Sequence, residues 1–376
     1  MNIPLTLASA VLPLLAADLP ADEQPDSGTI VQRVVAVDNV TAWPNLTVLR
    51  DGTILATLFN QPAHGTAEGD VECWISRDGM SWEKRGTAAP HDRGANRMNV
   101  AAGLAGNGDL IVLAAGWSLK PSSKPGGAPL LDTPQRPWIS RSADDGKTWS
   151  VDKQSFPVAE TGMSDFVPFG DIVAGADGSL RVLCYASARD SKAAWLDRVN
   201  KVSMLRSDDD GRGWKVGSAI SDRHNETAPF HLGHGKWLAA ARSHEAKPAL
   251  DLFRSDDDGK TWRLDRRLTE PGQIPADFLR LRDGRLLLSY GNRNAGQFGV
   301  VAKVSADEGS TWSSPITVVS DLTTRDCGYP SSVQLPGGEI LTAYYAQGVA
   351  GHPRYHMGAV LWKLPTVASP PEKSDK

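Results

Sequence analysis

Ser142 to Trp149 reads SADDGKTW, and the pattern S-x-D-x-G-x-T-W returns at Ser207 to Trp214 (SDDDGRGW), Ser255 to Trp262 (SDDDGKTW) and Ser305 to Trp312 (SADEGSTW). A shortened copy, SRDGMSW, runs from Ser76 to Trp82. A repeat on this scale decides the architecture before any single segment does, because each copy marks one supersecondary unit. The tryptophans, at 82, 149, 214, 262 and 312, stand 67, 65, 48 and 50 residues apart, within the range of a four-stranded propeller blade with loop insertions. Inside the motif, an Asp beside a turn Gly accepts backbone hydrogen bonds and tolerates left-handed geometry, while the Trp covers an adjacent blade core. The boxes are structural glue, not catalytic sites.

A second series counts the units independently. A β-run, a turn with Gly and another β-run recur around Gly52 (TVLRDGTILATLF), Gly108, Gly178, Gly235, Gly284 and Gly338 (SVQLPGGEILTAYY). Each is a hairpin signature. Five of the six are followed by a box, whereas the last ends near Leu364 without one, so residues 29–37 (TIVQRVVAV) are expected to supply its missing strand. Closing a ring this way removes a free sheet edge. The expectation is an all-β chain forming one six-bladed β-propeller of four-stranded antiparallel blades over residues 29–365.

Composition agrees with a packed, turn-rich β protein. Of 376 residues, 40% are hydrophobic and 22% charged, with 36 Gly and 25 Pro, so the chain can bury a core and a helical bundle is disfavoured. The net charge of −4 removes any general electrostatic case for nucleic acid or an anionic membrane surface as partner. Cys73, Cys184 and Cys327 allow at most one disulfide and no Cys-rich zinc site. The apolar run from Ile3 to Leu15, ending in Ala16 and Ala17, reads as a secretory signal whose n-region lacks Lys and Arg, and it is too short for a membrane span. Residues 1–28 are therefore expected to be a signal and linker, with the chain secreted or periplasmic, and residues 366–376 a disordered tail.

Register then locates a mouth. Residues equally far before and after a hairpin turn lie at the same end of the pair. Nine before each turn Gly stand Trp43, Asn99, Phe169, Glu226, Pro275 and Tyr329; seven after stand Phe59, Ala115, Tyr185, Arg242, Gly291 and Tyr345. Both sets are expected at one mouth of the central channel, where loops from several blades serve a ligand. Glu226 and Arg242 are out of place for plain strand ends and fall together in space. Tyr329 occupies the Glu226 position two blades on.

Over essentially its whole length the chain resembles the sialidase (neuraminidase) superfamily. The boxes have the form of that superfamily's Asp boxes, which specify fold more than function. Asn225 to Ser243, NETAPFHLGHGKWLAAARS, is similar to its Glu-bearing hairpin, and Gly328 to Tyr345, GYPSSVQLPGGEILTAYY, to its Tyr-bearing hairpin. The resemblance implies a retaining exo-glycoside hydrolase that releases a terminal acidic sugar from a glycan, with Tyr329 as nucleophile and Glu226 as its base partner. It implies Arg242 and Arg293 (in YGNRNAGQFG) as substrate-carboxylate ligands, and no metal or cofactor. A phenol suits this task because an anomeric carboxylate repels an anionic nucleophile, while planar guanidinium groups grip the carboxylate.

Two positions depart from the pattern. Where the superfamily begins its first hairpin with Arg-Ile-Pro, this chain has Ala42-Trp43-Pro44, so the first arginine is absent and Arg97, in ANRMNV, is the candidate substitute. The general acid, an Asp on the loop after the first hairpin in the superfamily, falls here in NQPAHGTAEGD, where Asp70, Glu68 and His64 compete. Asp165, Asp277 and Asp326 are further candidates to bond sugar hydroxyls, and Trp43 and Trp117 to stack on a ring. The pairs His231/His234 and His352/His356 have metal-like spacing but no helix to present them. Two other functions use the same groups: a polysaccharide lyase acting on uronate, with Tyr or His abstracting the α-proton, and a noncatalytic glycan-binding propeller.

Overall fold

A computed structural model describes residues 27–189 and 199–365. The apolar run behind the export expectation, and the tail from 366, lie outside them. The described residues contain strands and no helix, so none is long and apolar enough to cross a membrane.

After an N-terminal strand, β1 (Thr29–Asp38), the chain repeats one unit of four antiparallel strands. The first is β2 (Ala42–Val48), β3 (Ile54–Phe59), β4 (Val71–Ser76) and β5 (Glu83–Ala89). The second is β6 (Asn99–Leu104), β7 (Leu110–Lys120), β8 (Leu130–Ser142) and β9 (Ser150–Asp152), and the third β10 (Val167–Ala174), β11 (Leu180–Ser187), β12 (Asn200–Ser207) and β13 (Lys215–Ser221). Next come β14 (His224–Gly233), β15 (Lys236–Ser243), β16 (Leu250–Ser255) and β17 (Arg263–Arg267), then β18 (Gln273–Arg280), β19 (Leu286–Asn292), β20 (Gly299–Ser305) and β21 (Ile316–Val319). Finally β22 (Gly328–Gln334), β23 (Ile340–Val349) and β24 (His352–Lys363) form a sheet with β1, which pairs antiparallel with β24 from Thr29↔Lys363 to Asp38↔His356. The second and third units share an eight-stranded sheet through a two-residue parallel contact, Gly170↔Ala101 and Asp171↔Ala102. The architecture is an all-β, propeller-like arrangement of four-stranded sheets.

Core packing closes the ring. Leu55 and Val71 of the first unit pack with Val100 and Val112 of the second, and Ile111 and Leu113 pack with Leu180 and Val182 of the third. The sandwich continues through Trp237 against Leu183, Leu238 against Ile274 and Leu287 against Trp362. It returns to the start where Leu341 and Tyr345 meet Leu46 and Ile54. Both faces of these strands are thus covered, which accounts for near-continuous apolar runs such as ILATLF in β3. The six turn glycines all take φ between 72° and 94°, a region closed to most residues.

The boxes pin the opposite end. In the second unit Ser142 Oγ donates to Asp144 Oδ1 at 2.8 Å and accepts from Gly146 N at 2.9 Å, while Asp144 also accepts from Thr148 N at 2.9 Å. Trp149 Nε1 closes the turn on Gly146 O at 3.0 Å. These donors hold Asp144, Asp257 and Asp307 well below the usual carboxylate range, at about 2.

Candidate active site

The innermost strands do not run regularly to the axis. Register shifts interrupt pairing between Ala42 and Asn45 in β2, His224 and Thr227 in β14, Gln273 and Ala276 in β18, and Gly328 and Ser331 in β22. Each bulge frees one or two residues from the ladder and re-aims their side chains. Trp43, Glu226 and Tyr329 sit in these bulges and line an axial cavity with Asn99, Phe169 and Tyr185. Including the open solvent at its mouth, the space within the cavity is about 860 Å³. Tyr329 (φ 50°), Trp43 (φ 47°) and His64 (φ 36°) are held in left-handed conformations, a cost of about 1–3 kcal/mol each that the surrounding structure sustains and that concentrates at functional sites.

Tyr329 donates its hydroxyl to Glu226 Oε1 at 2.5 Å. Arg242, at the end of β15, donates from Nη1 to Glu226 Oε2 at 2.5 Å and lies 3.4 Å from the Tyr329 oxygen. Burial pushes the Tyr329 phenol well above its usual range; Glu226 adds to this, while Arg242 and Arg293 oppose it. A phenol in this setting stays neutral until a carboxylate takes its proton. Burial works against the charge of Arg242, but Glu226 and Tyr329 more than offset it and the guanidinium is held ionised. Arg293 lies with its guanidinium carbon 5.4 Å from the Tyr329 ring centre.

A second chain of polar contacts flanks the first. Arg293 Nη2 donates to the Tyr345 hydroxyl at 2.9 Å, and Tyr345 donates to Asp326 Oδ1 at 2.5 Å. Asp326 Oδ2 accepts from the Tyr355 hydroxyl and lies 2.8 Å from His64 Nδ1. Burial alone would raise the Asp326 carboxyl, but His64 and the two tyrosines hold it far below its usual range. His64 lines the cavity, edge-on to Trp43 at 5.0 Å between ring centres.

The family model for BNR repeat-like domains matches residues 52–341. This chain belongs to the BNR repeat-like domain family. No functionally curated protein matches the sequence. Among solved structures, the BNR-repeat chain is similar to a Dyadobacter fermentans protein of unknown function, at 24% identity and TM-score 0.72, covering 89% of this chain and 99% of that one. It is also similar to a Hadza microbial sialidase (18% identity, TM-score 0.65, 87% of this chain and 66% of that one). A Trypanosoma rangeli sialidase matches at 16% identity and TM-score 0.63, over 90% of this chain and 58% of that one. The BNR-repeat chain therefore has the propeller fold of the sialidases and spans less than two thirds of the length of the last.

Within this BNR-repeat fold, Glu226, Arg242, Tyr329, Arg293 and His64 converge, and three candidates, Arg97, Asp70 and Glu68, do not. Arg97 is directed into its own unit: 3% exposed, it stacks on the Trp138 ring at 3.7 Å and donates to Arg136 O at 2.8 Å. It is not among the residues that line the cavity, so it does not stand where the missing first arginine would. Asp70 is bound to His91, through Nδ1 at 2.6 Å and the backbone N–H at 2.8 Å, and Glu68 faces the other ring nitrogen at 3.3 Å. Neither carboxylate lines the cavity. The second register set divides: Tyr185 lines the cavity, Arg242 reaches Glu226 and Tyr329, and Tyr345 bonds Arg293 and Asp326, while Phe59 and Ala115 are buried between sheets. Trp117 and Asp277 both line the cavity. Tyr355 carried no sequence signal, since its role depends on β24 lying beside β23. His231 stacks on Trp237 and His352 lies 2.9 Å from Asp38, so neither His pair acts as a unit.

Proposed function

We propose that this chain is a retaining exo-glycoside hydrolase acting on a terminal sugar whose anomeric carbon bears a carboxylate, sialic acid or a close relative, on a ring of six blades that counts the eight-stranded sheet as two. The observation that carries the reading is the 2.5 Å hydrogen bond from the Tyr329 hydroxyl to Glu226. Tyr329 attacks the anomeric carbon as Glu226 receives the phenol proton, and water then displaces the sugar from Tyr329. Arg242 and Arg293 stabilise the substrate carboxylate and the negative charge that develops on the Tyr329 oxygen as its proton leaves. His64 is the proton donor to the leaving group, since Asp70 is committed elsewhere. The neighbours' sialidase activity supports the substrate class. The apolar run from Ile3 to Leu15 supports export, to the periplasm or the outside of the cell.

Incubation with 2,3-difluorosialic acid followed by peptide mass spectrometry tests it. The expected result is a sugar adduct on Tyr329, absent in Tyr329→Phe, with Glu226→Gln slowing sialyllactose hydrolysis by about 10²–10⁴-fold. Turnover by Tyr329→Phe at the wild-type rate overturns the assignment. The replacement of the usual first arginine by Ala42 and Trp43 favours one second reading, a noncatalytic glycan-binding propeller; sialyllactose binding without turnover would select it.

A further inference from the structure

His64 is not placed by chance of a surface loop. Its backbone N–H and that of Ala63 both donate to Thr41 Oγ1 at 3.1 Å, and Thr41 Oγ1 donates to Gln61 O at 2.6 Å. Gly65 follows at φ 76°, where a Cβ would lie 2.4 Å from Met98 Sδ. The loop is thereby clamped on one side by Thr41 and on the other by the second unit. The ring it presents has its two nitrogens in different surroundings. Nδ1 lies 2.8 Å from Asp326 Oδ2; Nε2 has no protein partner among the described residues, and the side chain is 48% exposed, at the cavity.

Asp326 is saturated on its far side. Tyr345 and Tyr355 both donate to it, and Tyr345 is itself held by Arg293. Each hydroxyl takes one acceptor site on one carboxylate oxygen, which fixes the plane of the group and leaves Oδ2 a second site facing His64 Nδ1. The same logic governs Ser-His-Asp triads, where an Asp at one ring nitrogen sets the tautomer and leaves the other nitrogen for proton transfer.

We propose that Asp326 is a positioning residue that keeps a proton on His64 Nδ1, so that Nε2 is the atom that gives and recovers the leaving-group proton. The inference rests on the hydrolase reading above. In the first step the bond from Tyr329 Oη to the anomeric carbon forms while the glycosidic C–O bond breaks. The leaving oxygen keeps the electron pair and takes the Nε2 proton of the His64 imidazolium, which is left as the neutral ring protonated on Nδ1, and the phenol proton passes to Glu226. In the second step water's oxygen bonds to the anomeric carbon as the bond to Tyr329 Oη breaks. Water's proton goes to Nε2, the electron pair of the broken bond returns to Oη, and Glu226 gives the proton back to it.

Two measurements on the full chain test this. Two-bond proton–nitrogen spectra of the ¹⁵N-labelled protein, with His64 assigned from a His64→Gln spectrum, should show the neutral ring protonated on Nδ1. Asp326→Asn, whose amide can donate to Nδ1, should move the proton to Nε2, whereas Tyr355→Phe should leave the tautomer unchanged. A wild-type ring protonated on Nε2, or one indifferent to Asp326→Asn, overturns the proposal. The second measurement compares methyl and p-nitrophenyl α-glycosides of N-acetylneuraminic acid. His64→Gln and Asp326→Asn should lower kcat on the methyl glycoside by about 10²–10⁴-fold and far less on p-nitrophenyl, which leaves without protonation. Equal losses on both reduce the dyad to a structural role and overturn it. If wild type cleaves neither, the hydrolase reading and the leaving-group role fall together, and the tautomer still decides whether Asp326 positions His64.

Discussion

Arg242 Nη1 donates to Glu226 Oε2 at 2.5 Å from the opposite arm of the hairpin that carries Glu226. The side chains are 19% and 10% exposed, so each charge depends on the other for compensation. Arg242→Ala leaves the Glu226 carboxylate buried and unpaired, and unfolding in urea at neutral pH should show a loss of about 3–5 kcal/mol. Adding Glu226→Gln to that variant should return part of the loss, because the orphaned charge is then gone. Additive destabilisation in the double variant would contradict the pairing.

Asp277 of β18 and Asp171 of β10 come from different units and feel each other's charge. Burial raises both carboxyls, and Asp171 adds to the rise at Asp277. A carboxyl with a raised folded value binds more protons in the folded than in the unfolded chain. Its contribution is fully present below the unfolded value of about 3.9 and is lost as pH rises through the folded value. Asp277→Asn should therefore have a higher Tm than wild type at about pH 8, the difference shrinking towards about pH 4. Equal Tm values across that range would contradict it.

The box aspartates act in the opposite sense. Hydrogen bonds from the turn hold Asp78, Asp144, Asp257 and Asp307 at about 2. Their stabilisation is present above the unfolded value of about 3.9 and is lost as pH falls through the folded value. Thermal melts should show Tm falling between about pH 4 and pH 2, and a Tm independent of pH there would remove the boxes from the account of stability.

Arg97 offers a separation of fold from function. Arg97→Met keeps much of the packing on Trp138 but loses the bond to Arg136 O. Losing the donor of that partly buried carbonyl costs about 1 kcal/mol, so Tm should fall while KM for sialyllactose stays the same. A rise in KM without a fall in Tm would return Arg97 to the substrate.

The repeat made the architecture readable because identical turns need identical residues: Ser, Asp, Gly and Trp recur wherever a sheet must be pinned to its neighbour. The convergence of Trp43, Glu226 and Tyr329 was readable too, since each stands nine residues before a turn glycine. What that count did not contain was the bulge at each position, which turns these side chains towards the axis while Phe59 and Ala115 remain between sheets.

The chain's own order of residues determined the strands, the turns, the closing role of β1 and the hairpins that carry Glu226, Arg242 and Tyr329, all of which follow from local pattern. Only the tertiary structure decided which of Asp70, Glu68 and His64 meets the cavity and whether Arg97 reaches it. Those outcomes depend on loops and side-chain heads whose partners, Asp326 for His64, His91 for Asp70 and Trp138 for Arg97, lie distant in sequence or in a neighbouring unit. A hydrogen bond between remote segments leaves no periodic trace along the chain; it exists only once the ring has closed.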